Sequence, residues 1–463
     1  MIPRHVAGML SLEELAEIVR RDEIDTVLVA FPDLYGRLVG KRLTARYFLE
    51  HGAKHGTHVC NYLLTCDVEM EPVPGYRFAN WEAGYGDLLA VPDLQTLRVA
   101  AWLPKSALVL CDLLRDPGHT AAEEAPRRML QRQVERYREL GLLPLGGSEL
   151  ELYVFNESFE SVRTKHYTGL ETAATYVEDY HLFQGTREEP LMGAIRRGLE
   201  GSGVPVESTK GEWGPGQQEI NVEYCEALTQ ADRNAIQKHA AKEIALSQNR
   251  AVTFMAKWHE GLAGSSMHVH ISLRDARSGL PADGGEAPLG PVQAPEVIRW
   301  LLGGMLAHAA ELTPFLAPNV SSYKRFQSGT FAPVNIAWSY DNRTAGFRVV
   351  GSGSSLRIEC RIPGADANPY LVYAALLAAG LDGIENRTEP PSPVQGDSYT
   401  HADLPRVPGT LRDAIVALER SELARRAFGE EVVEHYLHFF RTEQRKFDEV
   451  VTDWEKARFF ERI

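Results

Sequence analysis

The sequence predicts an α+β protein with a small N-terminal helix-plus-sheet unit over residues 1–115 and a larger domain over 116–463. Two observations carry that expectation. Four stretches in the larger part alternate polar and aliphatic residues with the period of two that belongs to half-buried strands. The segments between them place aliphatics at helical spacing. Between the two parts lies Arg115-Asp116-Pro117-Gly118, a turn-rich linker.

Taken in order, Ser11-Leu12-Glu13-Glu14 is a capping-box pattern, and Leu12, Leu15, Ala16 and Val19 follow it at helical spacing. Residues 26–31 read as a buried strand. Residues 32–41, punctuated by Gly36 and Gly40, lead into a second, and 87–91 and 107–113 read as two more. The larger domain opens with a helix over 123–140, with Pro126 in its first turn and Gly141 as its stop. Further helices are expected at 190–199, 229–250, 297–312 and 369–381, the last almost uniformly apolar and so buried. Residues 274–295 and 386–408 read as loops or excursions, and the chain from 411 as charged helix.

The four alternating stretches carry the chemistry. In Glu149-Leu150-Glu151-Leu152-Tyr153-Val154, the aliphatics face a core, so the two carboxylates stand side by side on the other face. The stretches 217–222, 266–273 and 356–362 repeat the pattern with Glu219, His268, His270, Arg357, Glu359 and Arg361 on the polar face. A face bearing Glu149, Glu151, Glu219, His268 and Glu359 has too much negative charge to close unaided, and divalent cations would resolve it. Carboxylates with a single imidazole favour Mg²⁺ or Mn²⁺ over zinc. Arg343, Arg348, Arg357 and Arg361 add guanidinium forks suited to phosphate and carboxylate oxygens. Metals beside arginines suggest phosphoryl chemistry.

At 463 residues the chain is long enough for a large core and more than one domain. The 49 basic residues against 63 acidic ones, a formal net charge of -14, argue against a nucleic-acid or anionic-membrane partner. Five scattered cysteines without metal-ligand spacing fit reduced thiols. With no signal-peptide pattern and no membrane-length apolar run, a cytoplasmic enzyme is expected.

Seven motifs then occur in series: Glu149-Leu150-Glu151, Glu212-Trp213-Gly214-Pro215-Gly216-Gln217-Gln218-Glu219, Gly264-Ser265-Ser266-Met267-His268-Val269-His270, Ser322-Tyr323-Lys324-Arg325, Asp341-Asn342-Arg343, Arg357-Ile358-Glu359-Cys360-Arg361 and Asn368-Pro369-Tyr370. In that order they resemble glutamine synthetase, in its glutamate-amine ligase branch. The resemblance implies a β-grasp-like N-terminal domain and a catalytic domain with a curved antiparallel sheet flanked by helices. It further implies ATP, two or three Mg²⁺ or Mn²⁺ ions, glutamate and a small organic amine, and a homo-oligomer, a dodecamer of two hexameric rings. One metal is expected on Glu151, Glu212 and Glu219, the other on Glu149, His268 and Glu359. Glu207, His270 and Ser272 are expected near the nucleotide, with Arg348 and Arg357 on its phosphates. Gly264, His268, Arg325 and Arg361 would meet glutamate, and Arg343 the transferring phosphoryl group, with Glu219 and Arg325 also in the catalytic set.

The implied chemistry forms γ-glutamyl phosphate and then displaces phosphate with an amine. For the second step the sequence departs from the family. Phe331, in the flap 326–333, stands where glutamine synthetase carries the glutamate that deprotonates ammonium, so Phe331 is expected to meet the amine instead. The stretch 56–62 lacks the Asp-Gly-Ser-Ser motif of the family's ammonium site. Ala263 replaces an asparagine beside the glutamate site, and Ser354 a phosphate-side lysine. No Asn-Leu-Tyr adenylylation loop lies near Tyr399, so that regulation is not expected. The alternatives are an ammonium-using glutamine synthetase, against which Phe331 argues, and a catalytically retired ring-forming homologue, which would have had no reason to keep six metal ligands.

Overall fold

The computed structural model describes residues 6–282 and 285–463. Residues 1–5 of the expected N-terminal unit, and 283 and 284 of the expected loop 274–295, lie outside that description. The first helix, Leu12–Arg20, is closed by the reciprocal capping box of Ser11 and Glu14. A six-stranded sheet follows, built from β1 (Thr26–Pro32), β2 (Leu38–Thr44), β3 (Thr57–Cys60), β4 (Asp87–Pro92), β5 (Arg98–Val99) and β6 (Ser106–Arg115). Its order is β2-β1-β6-β4-β3, with β5 on β6 and the β1–β6 pair parallel.

The larger sheet has eight strands: β7 (Leu142–Phe155), β8 (Val206–Gly211), β9 (Gln217–Glu226), β10 (Ala251–Thr253), β11 (Met267–Asp275), β14 (Trp338–Tyr340), β15 (Phe347–Val350) and β16 (Arg357–Cys360). Its order is β14-β15-β16-β11-β7-β9-β8, with β10 on the far end of β7, and it is curved. Every pair is antiparallel except β14–β15 at the sheet's edge, which is parallel. The remaining strands, β12 (Glu286–Leu289) and β13 (Val292–Pro295), form a hairpin within the segment expected to be a loop or an excursion. Gly290, at φ 62, and Pro291 make its two-residue turn, where a positive φ matches the twist of the flanking strands.

One face of the large sheet is apolar, for the reason the alternation gives. Leu150, Leu152, Val154, Ile220, Met267, Val269, Ile271 and Ile358 are all buried. They pack under the helices Pro126–Glu139, Ala227–Ser247 and Pro369–Asn386. The last of these is the buried helix expected from its composition, and its Tyr373 hydroxyl donates to the Gly147 carbonyl at 2.7 Å. The helix expected at 190–199 extends back to Leu182, through Pro190. Among the described residues no helix is long and apolar enough to cross a membrane.

Arg127, in the first turn of the helix Pro126–Glu139, ties the two sheets' surroundings together. Its Nε and Nη2 donate to Asp232 at 3.0 Å each, its Nη1 to Asp112 at 2.5 Å and its Nη2 to Asp93 at 2.7 Å. Asp232 is buried and also accepts from the Tyr370 hydroxyl at 2.8 Å. Burial opposes the Arg127 charge, and Asp232 and Asp112 outweigh it, so the guanidinium stays protonated. Arg127→Met would leave Asp232 buried without its cation, at a cost of about 3–5 kcal/mol. The expected outcome is a clear fall in the temperature of the first unfolding transition, measured by calorimetry, with no comparable fall for Arg128→Met at the half-exposed neighbour.

Candidate active site

The other face of the large sheet gathers the carboxylates, and strand register decides which of them meet. Glu151 stands directly opposite Glu219 across β7–β9. Glu149 stands opposite His268 across β7–β11, and His270 opposite Glu359 across β11–β16. Glu212 follows the end of β8, and its backbone N–H donates to the Gln217 carbonyl at 2.8 Å, which closes the turn before β9. The result is two groups of three, Glu151-Glu212-Glu219 and Glu149-His270-Glu359, each with ligand atoms within 4.8 Å of one another. His268, expected in the second group, flanks it. Its Nδ1 lies 3.1 Å from Glu149 and 3.7 Å from Glu359, while His270 Nε2 lies 3.0 Å from Glu149.

The two groups are balanced differently. Burial acts against the charge of Glu149, but hydrogen bonds with His268 and His270 outweigh it and hold the carboxyl far below its usual range. Glu359, fully buried, is likewise held low, because Arg361 Nη1 at 2.5 Å and the two histidines overcome desolvation. Arg348 adds a bond to Glu359 at 2.9 Å and one to Asp341 at 2.6 Å. Burial and the Arg361 charge push His268 down to about 4, against the hydrogen bond to Glu149 and the charge of Glu359.

In the first group the balance runs the other way. Burial, then Glu212, raises Glu151, although Ser266 donates to it through its N–H at 2.8 Å and its hydroxyl at 2.5 Å, and Gln217 Nε2 donates at 2.9 Å. Burial, then Glu149, Glu212 and Glu151, raises Glu219. The cation on these carboxylates is Lys210, the cross-strand partner of Glu219, whose ammonium pairs with Glu212 and lies 4.5 Å from the Tyr180 ring centroid. Burial opposes the Lys210 charge, but Glu219 and Glu212 raise its pKa overall. Three carboxylates crowded into a poorly compensated space fit a divalent cation by donor chemistry.

A pocket of about 450 Å³ opens beside this face. Its lining includes Glu149, Glu207, His270, Ser272 and Arg357, so four of the five residues expected near the nucleotide lie together. Arg348 is the exception, since its guanidinium is on Glu359 and Asp341. Tyr224 and Arg274 also line the pocket, and sequence reasoning had not singled them out. Arg325 is buried, and its two terminal nitrogens donate to the carbonyls of Ile362 and Arg361 at 2.8 and 2.9 Å. Burial brings its pKa down to about 10, still a full charge at pH 7. Gly264 packs on its stem, where a Cβ would come within 2.6 Å of Arg325 Cγ and 2.7 Å of the Ala256 carbonyl, so no larger residue fits. Arg361 donates a second bond to the Phe331 carbonyl at 3.3 Å, and its buried Nε has no hydrogen-bond partner among the described residues. Phe331 itself is 56% exposed, with φ 57. Arg343 is exposed on the turn after β14 and has no hydrogen bond or ion pair among the described residues, so no contact joins it to the acidic cluster.

The stretch 56–62, which lacks the family's ammonium-site motif, forms the edge strand β3 and the start of a short turn of helix. Tyr399 has a packing role, its hydroxyl donating to the Ala332 carbonyl at 2.8 Å. Residues 123–459 match the catalytic domain of glutamine synthetase. The chain belongs to the glutamine synthetase family. It is 46% identical over 456 residues to the gamma-glutamylethanolamide synthetase GlnA4 of Streptomyces coelicolor, spanning 98% of this chain and 96% of that protein. It is 36% identical over 453 residues to the glutamate–isopropylamine ligase of a Pseudomonas species, spanning 97% and 98%. Among solved structures, ligand-free GmaS matches with a TM-score of 0.83 at 28% identity, spanning 96% of this chain and 99% of that one, and the GmaS/ADP complex matches equally. Members of the glutamine synthetase family use ATP and divalent metal ions in general, which agrees with the donor set found here.

The raised carboxyls of Glu151 and Glu219 set a pH dependence. With native pKa values above the ordinary glutamate range, the native state binds more protons than the unfolded one in that window, so stability contributed there is lost as pH rises. Glu149 and Glu359, held low, act only below the ordinary range. Glu151 and Glu219 are therefore expected to make the metal-free protein less stable at about pH 8 than at about pH 5, against the opposite but smaller window of His268, which is complete by about pH 6.5, and Mn²⁺ is expected to raise the transition more at the higher pH. Thermal unfolding with chelator or Mn²⁺ measures this, and Glu219→Gln is expected to raise the metal-free transition at pH 8 and to shrink the Mn²⁺ increment.

Proposed function

We propose that the chain is an ATP-dependent ligase that joins the γ-carboxylate of glutamate to an organic amine, giving a γ-glutamylamide, ADP and phosphate. The observation that carries the reading is the pair of acidic groups on one sheet face, with the nucleotide-sized pocket on one side and a flap bearing Phe331 on the other. The likeness to a gamma-glutamylethanolamide synthetase and a glutamate–isopropylamine ligase supports it, as does a fold neighbour that binds ADP. We propose Mg²⁺ or Mn²⁺ at Glu151, Glu212 and Glu219, and at Glu149 and Glu359 with an imidazole from His268 or His270. Bound there, the ions neutralise charge on the transferring phosphoryl oxygens.

The chain's own residues do the rest. Glu207, His270, Ser272 and Arg357 line the pocket for ATP, and Arg325 and Arg361 hold a positive field for the carboxylates of glutamate. Arg343, without a hydrogen-bond or ion-pair partner among the described residues, reaches the phosphoryl group when the site fills. The γ-carboxylate attacks the γ-phosphate of ATP to form γ-glutamyl phosphate, and the amine then displaces phosphate. Two domains, 1–115 and 116–463, and a cytoplasmic homo-oligomer of two hexameric rings complete the reading, and the free state of all five cysteines suits that compartment.

The amine's character follows from Phe331. Ammonium is a small cation that needs carboxylates to hold it and a base to deprotonate it, and an apolar flap residue raises the cost of burying that charge. An alkyl or ring skeleton packed on Phe331 recovers about 0.8 kcal/mol per buried CH₂, enough over a few carbons to replace an ionic grip. With glutamate, ATP and Mg²⁺, kcat/KM for γ-glutamylamide formation is expected to be higher for one of the organic amines (alkylamines, ethanolamine, polyamines or aromatic amines) than for ammonium. Ammonium in first place would make the chain a glutamine synthetase.

Arg343→Lys keeps the charge but loses the planar fork that grips two phosphoryl oxygens. Its kcat is expected to fall on the order of 10²-fold, with little change in fold or in nucleotide affinity. Unchanged turnover at saturating substrates would assign Arg343 to the surface.

A further inference from the structure

Arg274 continues the polar face of β11, two residues beyond Ser272 and four beyond His270. It lines the same pocket as Glu207, Tyr224, Ser272 and Arg357. Its Nη2 crosses to the opposite wall and donates to the Ser354 carbonyl at 2.9 Å. Arg357 Nη1 donates to the next carbonyl, that of Ser355, at 3.2 Å. Two guanidinium groups from different strands thus hold consecutive carbonyls of one exposed turn, Gly353–Ser355. That turn has no buried side chain of its own to keep it in place.

A guanidinium has five N–H donors, and Ser354 takes one of those on Arg274. No other hydrogen bond or ion pair among the described residues engages it, so the rest are available to a ligand. Arg274 and Arg357 are the arginines of this pocket, and Ser354, on the rim between them, carries no charge. A polyanion entering the pocket therefore meets a cation from β11 where the rim offers none.

We propose that Arg274 binds and positions the nucleotide, fastening the turn Gly353–Ser355 along the pocket and supplying the positive charge that residue 354 does not. The inference rests on the reading of this pocket as the ATP site. Because Arg274 lies at the end of the strand away from the acidic groups, its effect belongs to nucleotide affinity and not to the chemical step.

The test is ADP binding by calorimetry in the presence of Mg²⁺, together with steady-state kinetics, on the full-length protein. Arg274→Gln is expected to raise the Kd for ADP and the KM for ATP about tenfold, the scale of one charge-assisted hydrogen bond. The kcat at saturating ATP and the KM values for glutamate and amine should stay within about twofold of wild type. Arg274→Lys should fall between the two. Adding Ser354→Lys to Arg274→Gln places an ammonium beside the vacated position and should restore most of the lost affinity. A Kd for Arg274→Gln within twofold of wild type would overturn the inference, and so would a double variant no tighter than Arg274→Gln. Ser272→Trp, which fills the pocket, separates the two readings. If it abolishes ADP binding while Arg274→Gln is silent, only the role of Arg274 falls, and if it binds ADP like wild type, the pocket is not the nucleotide site and both fall.

Discussion

Two glutamates placed directly opposite each other on neighbouring strands repel, and a sheet does not normally tolerate that arrangement on a buried face. Here Glu151 and Glu219 are such a pair, with Glu212 at the adjoining turn and Glu149 one alternation away. Everything else on that face is a response to this concentration of charge. Ser266 and Gln217 donate to Glu151, Lys210 pairs with Glu212, and His268, His270, Arg348 and Arg361 surround Glu149 and Glu359. The apolar face beneath them, packed under three helices, supplies the rigidity that keeps the carboxylates from moving apart.

The uneven distribution of those partners has a chemical meaning. Protein cations and imidazoles already compensate Glu149 and Glu359, whose carboxyls are held low. Glu151 has neutral donors and the charge of Arg325, Glu219 has Lys210, and both are still raised by burial and by their fellow carboxylates. A divalent ion would gain most where compensation is weakest, so of the two groups the Glu151 group is the one that would depend more on a metal. Lys210 then has a place in the metal-free protein, as the cation that keeps the three carboxylates together before an ion arrives.

Much of this was legible in the alternation of the strands. A period of two assigns each side chain to a face, and Glu149, Glu151, Glu219, His268, His270 and Glu359 all fell on the face expected of them. Register is another matter, because it is fixed by pairing between distant segments. The sequence does not show that Glu359 meets His270 as its cross-strand neighbour, that Lys210 faces Glu219, or that Arg348 turns to Glu359 and Asp341 and does not line the pocket beside that face. Arg274 was hidden for a similar reason, since its partner is a backbone carbonyl eighty residues away. The β12–β13 hairpin escaped because its Gly, Pro and Ala content resembles a loop, although Gly290-Pro291 carries the turn.

The flap shows how substrate choice can vary while phosphoryl chemistry is kept. Its backbone is tied at two adjacent points: the Phe331 carbonyl accepts from Arg361, which also holds Glu359, and the Ala332 carbonyl accepts from Tyr399. These bonds use main-chain oxygens, so they do not depend on which side chain stands at 331. The exposed Phe331 side chain is therefore free to differ in charge and size while Arg361 keeps both the flap and Glu359 in place. Under the proposed role of Phe331, a single position would select between a small cation and a carbon skeleton without disturbing the carboxylates behind it, and this chain's departure from the family at 331 falls where it costs those carboxylates least.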